Sequence, residues 1–324
     1  GAAAIAAPPA VVAGGALGAA SIALKVDPAI VDINTVINSA NGSGQGAATG
    51  LILTSGGEVL TNNHVVDGST SIAVTIAGRA GTYSASVLGV DPAADVALIQ
   101  VHGVSGLPTV KLGSAQAGEA VVALGNAQGK GGAPNVTEGT ITAVDQSLTA
   151  TDDSGKAEQL TGMLETDAGI VPGDSGGALV DSNGSVVGMI TAGSVQGFRF
   201  QSTGTGYAVP ISKAMDIVSQ VRAGQAGSDI ILGQPGYVGI VAAELDPATA
   251  SQLGVSSGVS VRNAQAGSPA TRAGLAAGSI ITSVGGSAVG SVSELGTAIH
   301  RHHPGEVLSI TWTDSLGTHT SRLT

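Results

Sequence analysis

No cysteine occurs anywhere in the 324 residues. That excludes disulfides, a thiolate nucleophile, and zinc or iron–sulfur sites built on cysteine. The fold must therefore be stabilised by its core. Basic residues are also few: 12 Lys and Arg stand against 23 Asp and Glu, a formal charge of −11. A chain with this balance is a poor binder of nucleic acid or anionic membrane, because both require basic patches. Only 11% of residues are charged and only 2% are aromatic.

Hydrophobic residues, by contrast, make up 43% of the chain, and there are 51 glycines. Heavy use of glycine and alanine with little lysine fits a high-GC bacterial source. At about 100–200 residues per domain, the length predicts two or three domains with sizeable cores. Residues 1–24 carry no charge. Three readings of this stretch stay open: a signal-peptide or membrane-anchor remnant, a disordered Ala/Gly/Pro tail, and a packed helix weakened by Pro8-Pro9. The first two place the protein at or outside the cell envelope.

From Pro28 onward, apolar runs of four to seven residues alternate with Gly, Ser, Asn and Asp. IVDINTVI (30–37), GLILT (50–54), SIAVTIA (71–77), SASVLGV (84–90), DVALIQV (95–101), AVVALG (120–125) and VVGMITA (186–192) read as strands. Strands at this spacing predict a mostly β unit, either two packed barrels or one large sandwich. At Pro210 the period changes. Ile211, Ala214, Met215, Val218 and Val221 recur at helical spacing, predicting a helix over about 210–223 with Ser212 as N-cap and Gly224 just past its end. Residues 223–235 read as a linker. A second module over 236–324 shows strands near 237–243, 258–262, 279–284 and 306–313, and helices near 268–275 and 292–301.

Within the first module, the run GDSGG (173–177) sets one hydroxyl among three glycines beside a carboxylate. Glycine costs order in any fold, so the cluster needs a reason. For Ser175 to act as a nucleophile it needs a neutral base within hydrogen-bond reach. The module holds two histidines. His64, in TNNHVV, follows the apolar run GEVL at a strand end, whereas His102 reads as a loop residue. A base in turn needs a buried carboxylate to hold its tautomer, and Asp95 opens an apolar strand where a solvated acid would be out of place. Singly, a histidine before valines is more often an ordinary core or surface residue, and an acid opening a strand is more often a cap. Together they occur in the order His64, Asp95, Ser175 within a β-rich frame, and that combination carries the catalytic reading.

These residues also carry a resemblance. TNNHVVDG (61–68), DPAADVALIQV (91–101), GDSGGALVDSNGSVVGMITA (173–192) and GYAVPI (206–211) resemble the HtrA/DegP-type trypsin-like serine proteases, above all their secreted mycobacterial branch. YVGI (237–240) and GSPATRAGLAAGSIITSVGG (267–286) resemble the PDZ domain that follows the protease in that family. The resemblance implies a chymotrypsin-like double β-barrel over 25–222 and a small α+β PDZ domain over 236–324. It assigns Ser175 as nucleophile, His64 as general base and acid, and Asp95 as orienting residue. Gly173, Asp174 and Ser175 would form the oxyanion loop, with Asp174 standing where DegP-type enzymes usually carry Asn.

The position six residues before the nucleophile, acidic in trypsin, is Gly169. The S1 pocket implied by Gly169, Thr191, Ala192 and Gly193 is therefore apolar, favouring aliphatic P1 side chains. Tyr237, Val238, Gly239 and Ile240 match the loop that holds a C-terminal peptide. The family implies no cofactor. His300, His302 and His303 read as a solvated helix end without a carboxylate partner, not as a metal site. NSANGSGQGAATG (38–50) reads as a short loop, too short for the long regulatory loop of DegP. Family members are typically trimers held by aromatics near the protease N-terminus, yet no aromatic precedes Tyr83, so monomer and trimer both stay open. Two functions follow: an extracytoplasmic serine endopeptidase acting on unfolded or exported proteins, and a chaperone-like peptide binder with little proteolysis.

Overall fold

The computed structural model describes residues 18–39, 42–126, 134–151, 157–171, 173–191, 205–227 and 229–324. Most of the 1–24 segment lies outside them. Its described end begins α1 (Ala19–Val26), which buries Ile22, Ala23 and Val26. Among the described residues no helix is long and apolar enough to cross a membrane.

Six strands follow: β1 (Ile30–Ser39), β2 (Gly42–Ile52), β3 (Glu58–Thr61), β4 (Ser71–Ile76), β5 (Tyr83–Asp91) and β6 (Val96–Val101). They pair in the order β5-β4-β1-β2-β3-β6, and β6 returns to β5, closing a barrel. The segment 38–50, expected as a loop, instead supplies most of β2, with Thr35 opposite Gly46 in the β1–β2 hairpin. Between β3 and β4 lies a single turn of helix, α2 (Asn63–Val66).

The short strand β7 (Lys111–Leu112) leads into a second closed ring. It consists of β8 (Ala120–Gly125), β9 (Asn135–Thr151), β10 (Ala157–Thr166), β11 (Ala178–Val180), β12 (Ser185–Thr191) and β13 (Gly206–Pro210), with β11 pairing both β8 and β12. The first module is thus two packed barrels, and the sandwich alternative falls.

Alternation along the strands shows how the barrels are joined. In β4 every second residue, Ile72, Val74 and Ile76, faces the interior, and the others face outward. β6 lacks that contrast because both its faces are covered. Ala97, Ile99 and Val101 fill the first barrel, while Val96 and Leu98 join a cluster between the barrels. β8 divides likewise, Val121 and Ala123 inside the second barrel, Val122 and Leu124 between the two. Each buried valine, leucine or isoleucine here contributes about 1.5–3 kcal/mol, which is how a chain without disulfides holds two barrels together.

The helix α3 (Ile211–Arg222) seals this inter-barrel cluster with Ile211, Ala214, Ile217, Val218 and Val221. Its N-cap is Pro210, with no side-chain capping bond, rather than Ser212. A proline at the end of β13 already fixes the turn that Ser212 was expected to cap. Gly224 does adopt the left-handed conformation, φ 67°, just past the helix. The expected linker is not free of structure either. Ile230 is buried, and β14 (Ile231–Leu232) adds an edge to β5.

The last sheet runs β15 (Ile240–Glu244), β16 (Val259–Ala264), β17 (Ile280–Val284), β19 (Leu308–Asp314) and β20 (Gly317–Leu323), with β18 (Ser287–Ala288) on β17. Helices α4 (Pro247–Leu253), α5 (Pro269–Ala273) and α6 (Val292–His300) accompany it, and Leu295 and Ile299 of α6 enter its core. Strand β20 and helix α4 were absent from the sequence reading. The burial of β20 alternates with exposed threonines and an arginine, a weak hydrophobic signal.

Candidate active site

His64 sits on the single turn α2, directly after β3, so the strand end aims it as expected but through a helical turn. Asp95 ends the tight turn that enters β6. Asp91 Oδ1 accepts from the Ala94 amide at 3.0 Å, and the Asp95 amide donates to Pro92 O at 3.2 Å. Asp95 itself has φ 55°, a left-handed conformation that aspartate tolerates better than most residues. Its backbone carbonyl accepts from Asn62 Nδ2 at 3.1 Å. Burial lifts the Asp91 carboxyl above the ordinary carboxylate range.

The Asp95 carboxylate grips His64 twice. Oδ1 accepts from the His64 amide at 3.0 Å, and the ring Nδ1 lies 3.0 Å from Oδ1 and 2.9 Å from Oδ2. Opposite a carboxylate, Nδ1 carries the proton, which leaves Nε2 as the acceptor. Nε2 lies 3.2 Å from Ser175 Oγ. Three residues spread over 112 positions thus form one hydrogen-bonded line across the cleft between the barrels. Side-chain exposure is 10% for His64 and 5% for Asp95, and Ser175 is fully buried.

The loop carrying Ser175 is held on every side. Gly173 has φ 98° and Gly176 φ 79°, conformations open to glycine. The Asp174 amide donates to Val171 O at 3.1 Å, and the Gly177 amide donates to Asp174 O at 2.8 Å. Asp174 Oδ2 accepts from the Val171 amide at 3.0 Å and from Asn135 Nδ2 at 3.4 Å, while its buried Oδ1 has no partner among the described residues. Burial raises the Asp174 carboxyl above its ordinary value, against the pull of those two donors. Among the described residues, the Gly173 and Ser175 amides donate to no protein acceptor. That leaves two N–H groups for a developing oxyanion.

Of the expected S1 residues, Ala192 and Gly193 lie outside the described residues. Gly169 is exposed, and its carbonyl accepts from Thr137 Oγ1 at 3.2 Å. Thr191 is buried with its hydroxyl accepting from Asn62 Nδ2 at 3.1 Å. Ile170, which the sequence did not single out, packs so closely on Gly206 that a Cβ there would come within 2.4 Å of Ile170 Cδ1.

Tyr237, Val238, Gly239 and Ile240 lead into the edge strand β15, beside α6. Gly239 has φ 74°, and a Cβ at that position would meet Ser268 Cβ at 2.3 Å. The Tyr237 ring lies against Gly68, just past the helix that bears His64. Gln234 Nε2 donates to Ser69 O at 3.1 Å. His302 does have a carboxylate partner, Glu306 at 2.9 Å, because the chain turns back after α6. His303 Nδ1 lies 3.0 Å from Gln234 O. Among the described residues no group of three or more His, Asp or Glu is placed to hold a metal ion. His102, the other histidine of the first module, pairs with Ser86 at 3.0 Å, away from Ser175.

Thr49, Thr61, Asn62 and Asn135 escaped the sequence reading. Asn62 stood inside a recognised motif, but its partners lie 33 and 129 residues away, a separation that no local pattern encodes.

A trypsin-like peptidase domain profile matches residues 48–189, and a PDZ domain profile matches 260–313. The chain is 34% identical over 279 residues to the putative serine protease HhoB of Synechocystis sp., covering 82% of this chain and 63% of the relative. It is 31% identical over 314 residues to the serine protease PepD of Mycobacterium tuberculosis, covering 91% and 63%. It is 33% identical over 261 residues to the periplasmic serine endoprotease DegP of Salmonella typhimurium, covering 78% and 51%. The chain therefore spans about half to two thirds of the length of the curated relatives it matches. Among solved structures, the HtrA-type protease AlgW with a decapeptide aligns at TM-score 0.53 and 25% identity, over 94% of this chain and 97% of the other. Two closed barrels with a His–Asp–Ser line and these matches together identify a trypsin-like peptidase domain followed by a C-terminal PDZ domain, similar in sequence to the HtrA/DegP-type serine proteases.

Proposed function

We propose that the protein is a serine endopeptidase that cleaves unfolded or exported proteins through an acyl-enzyme, with its PDZ domain selecting substrates by their C-termini. The observation that carries this is the line from Asp95 through His64 to Ser175 at hydrogen-bond distances. Ser175 Oγ attacks the scissile carbonyl and passes its proton to His64 Nε2. Asp95 stabilises the imidazolium and holds the ring's orientation. The tetrahedral oxyanion takes the Gly173 and Ser175 amides, each worth about 2.7–4 kcal/mol of transition-state stabilisation. His64 then gives its proton to the leaving amine. Water repeats the sequence on the acyl-enzyme and regenerates the hydroxyl.

An aliphatic P1 side chain suits this site, since Gly169 brings no acid and Ile170 presents hydrocarbon against Gly206. The edge of β15 offers unpaired backbone groups to an added peptide strand, the usual PDZ mode. Relatives named as periplasmic support an extracytoplasmic location.

Fluorophosphonate labelling tests the reading, and it also reports access to a serine that is buried in this conformation. The unmutated protein should label and Ser175→Ala should not, with unchanged circular dichroism. A folded, unlabelled wild type would favour the chaperone-like binder instead. Efficient hydrolysis after arginine with none after valine would overturn the P1 assignment.

A further inference from the structure

Resting on that reading, we propose that Thr49, a fully buried residue of the first barrel, is the positioning residue that sets the oxyanion loop of the second. Two of its groups make three bonds to that loop or its neighbour. The Thr49 amide donates to Ser175 O at 2.8 Å. Its hydroxyl donates to Gly173 O at 3.1 Å and accepts from the Asn126 amide at 2.8 Å. Thr49 is itself anchored, because its carbonyl accepts from Thr61 Oγ1 on the adjacent strand at 2.8 Å.

The bonds fall where the loop is softest. Gly173, at φ 98°, has no Cβ to restrict the peptide plane that follows it. Rotation of that plane would carry the Asp174 amide off Val171 O and shift Gly173, whose own amide is one of the two oxyanion donors. The Thr49 hydroxyl pins the carbonyl of this plane. The Thr49 amide pins the carbonyl two residues on, so the chain is fixed on both sides of Asp174. With its proton given to Gly173 and a lone pair taken by Asn126, the hydroxyl has one direction only.

The approach is also close enough to dictate a glycine. A Cβ on Gly176 would fall 2.0 Å from Thr49 O and 2.5 Å from Thr61 Oγ1. The nucleophile's following residue is therefore glycine because a strand of the other barrel occupies the space. The oxyanion loop is thus referenced to the same barrel that carries His64 and Asp95, which keeps donors and base in register.

The test compares Thr49→Val, isosteric but without the hydroxyl, with Thr49→Ser, which keeps it. A peptide p-nitroanilide with valine at P1 is the substrate, and a peptide boronate is the transition-state probe. Thr49→Val should lower kcat about 10- to 100-fold with KM little changed, and boronate affinity should fall in parallel. Thr49→Ser should stay within a few-fold of wild type in both. Binding of the uncleaved peptide to Ser175→Ala should be unaffected by adding Thr49→Val. If Thr49→Val does not fold, Thr49→Ala and Thr49→Ser carry the comparison at lower temperature. Equal kcat and boronate affinity in hydroxyl-bearing and hydroxyl-lacking variants would overturn the role of Thr49 while leaving the peptidase intact. A wild type inert to both fluorophosphonate and substrate would overturn the peptidase reading, and the role of Thr49 with it.

Discussion

Asn62 occupies the residue before the helix that bears His64, fully buried, with one side-chain nitrogen shared between Asp95 O and Thr191 Oγ1. It ties the left-handed turn of Asp95 in the first barrel to the end of β12 in the second. Asn62→Ala leaves a buried carbonyl without its donor, at a cost of about 1–3 kcal/mol. Lower thermal stability and a lower kcat are the expected outcome, and a variant with an unchanged melting curve would show that the clamp is dispensable. Gly176→Ala makes a different point at the same scale. Its Cβ would meet the backbone of Thr49 as well as the Thr61 hydroxyl, and strand backbone cannot swing aside, so loss of labelling in a still-folded protein is expected from comparing labelling with circular dichroism. His64, Asp95 and Ser175 were legible in sequence because few residues carry that chemistry and their order is distinctive. Thr49 and Asn62 were not, since a buried threonine or asparagine looks the same in any strand until its partners are known.

At the scale of elements, period and punctuation placed β1, β4, β5, β6, β8 and β12 and the helix α3 to within a few residues. What they missed has a common cause. β9 and β10 are rich in threonine, glutamate and alanine, so their outward faces dilute the apolar signal. The glycines of β2 imitate a loop, yet Gly46 and Gly50 are there because a Cβ would strike Thr35 and Val59 across the sheet. Helix α6 shows a cap that can be read and tested. Ser291 Oγ accepts from the Glu294 amide at 3.2 Å, and Glu244 Oε1 from the Val292 amide at 2.9 Å. Ser291→Ala should cost about 1 kcal/mol. Because α6 flanks the edge strand β15, it should also weaken peptide binding to the full chain, measurable by titration with a labelled C-terminal peptide. Unchanged affinity would show that the helix start plays no part in the groove.

Over the whole molecule, stability depends on acids buried between the elements. Asp32, on β1, is 7% exposed, and burial raises its carboxyl above 3.8 despite a hydrogen bond from Asn126, with Asp27 adding repulsion. The folded protein therefore binds this proton more tightly than the unfolded chain does. The resulting penalty is absent at pH below the unfolded value and grows as pH rises through the elevated one. Asp32→Asn should stabilise the protein at neutral pH, with the gain shrinking as pH falls through the raised value toward 3.8. A gain that stays constant over that range in thermal melts would refute the linkage. The sequence alone determined the β-rich class, the second module, the residues of the candidate site and the absence of disulfides, because each follows from residue type, order and period. Tertiary structure decided the closure of both barrels, the sharing of β6 and β8 between cores, and the bonds by which Thr49 and Asn62 of one barrel hold the loop and strand of the other. Those contacts join residues 124 and 129 positions apart, and only packing brings such distant groups within hydrogen-bond reach.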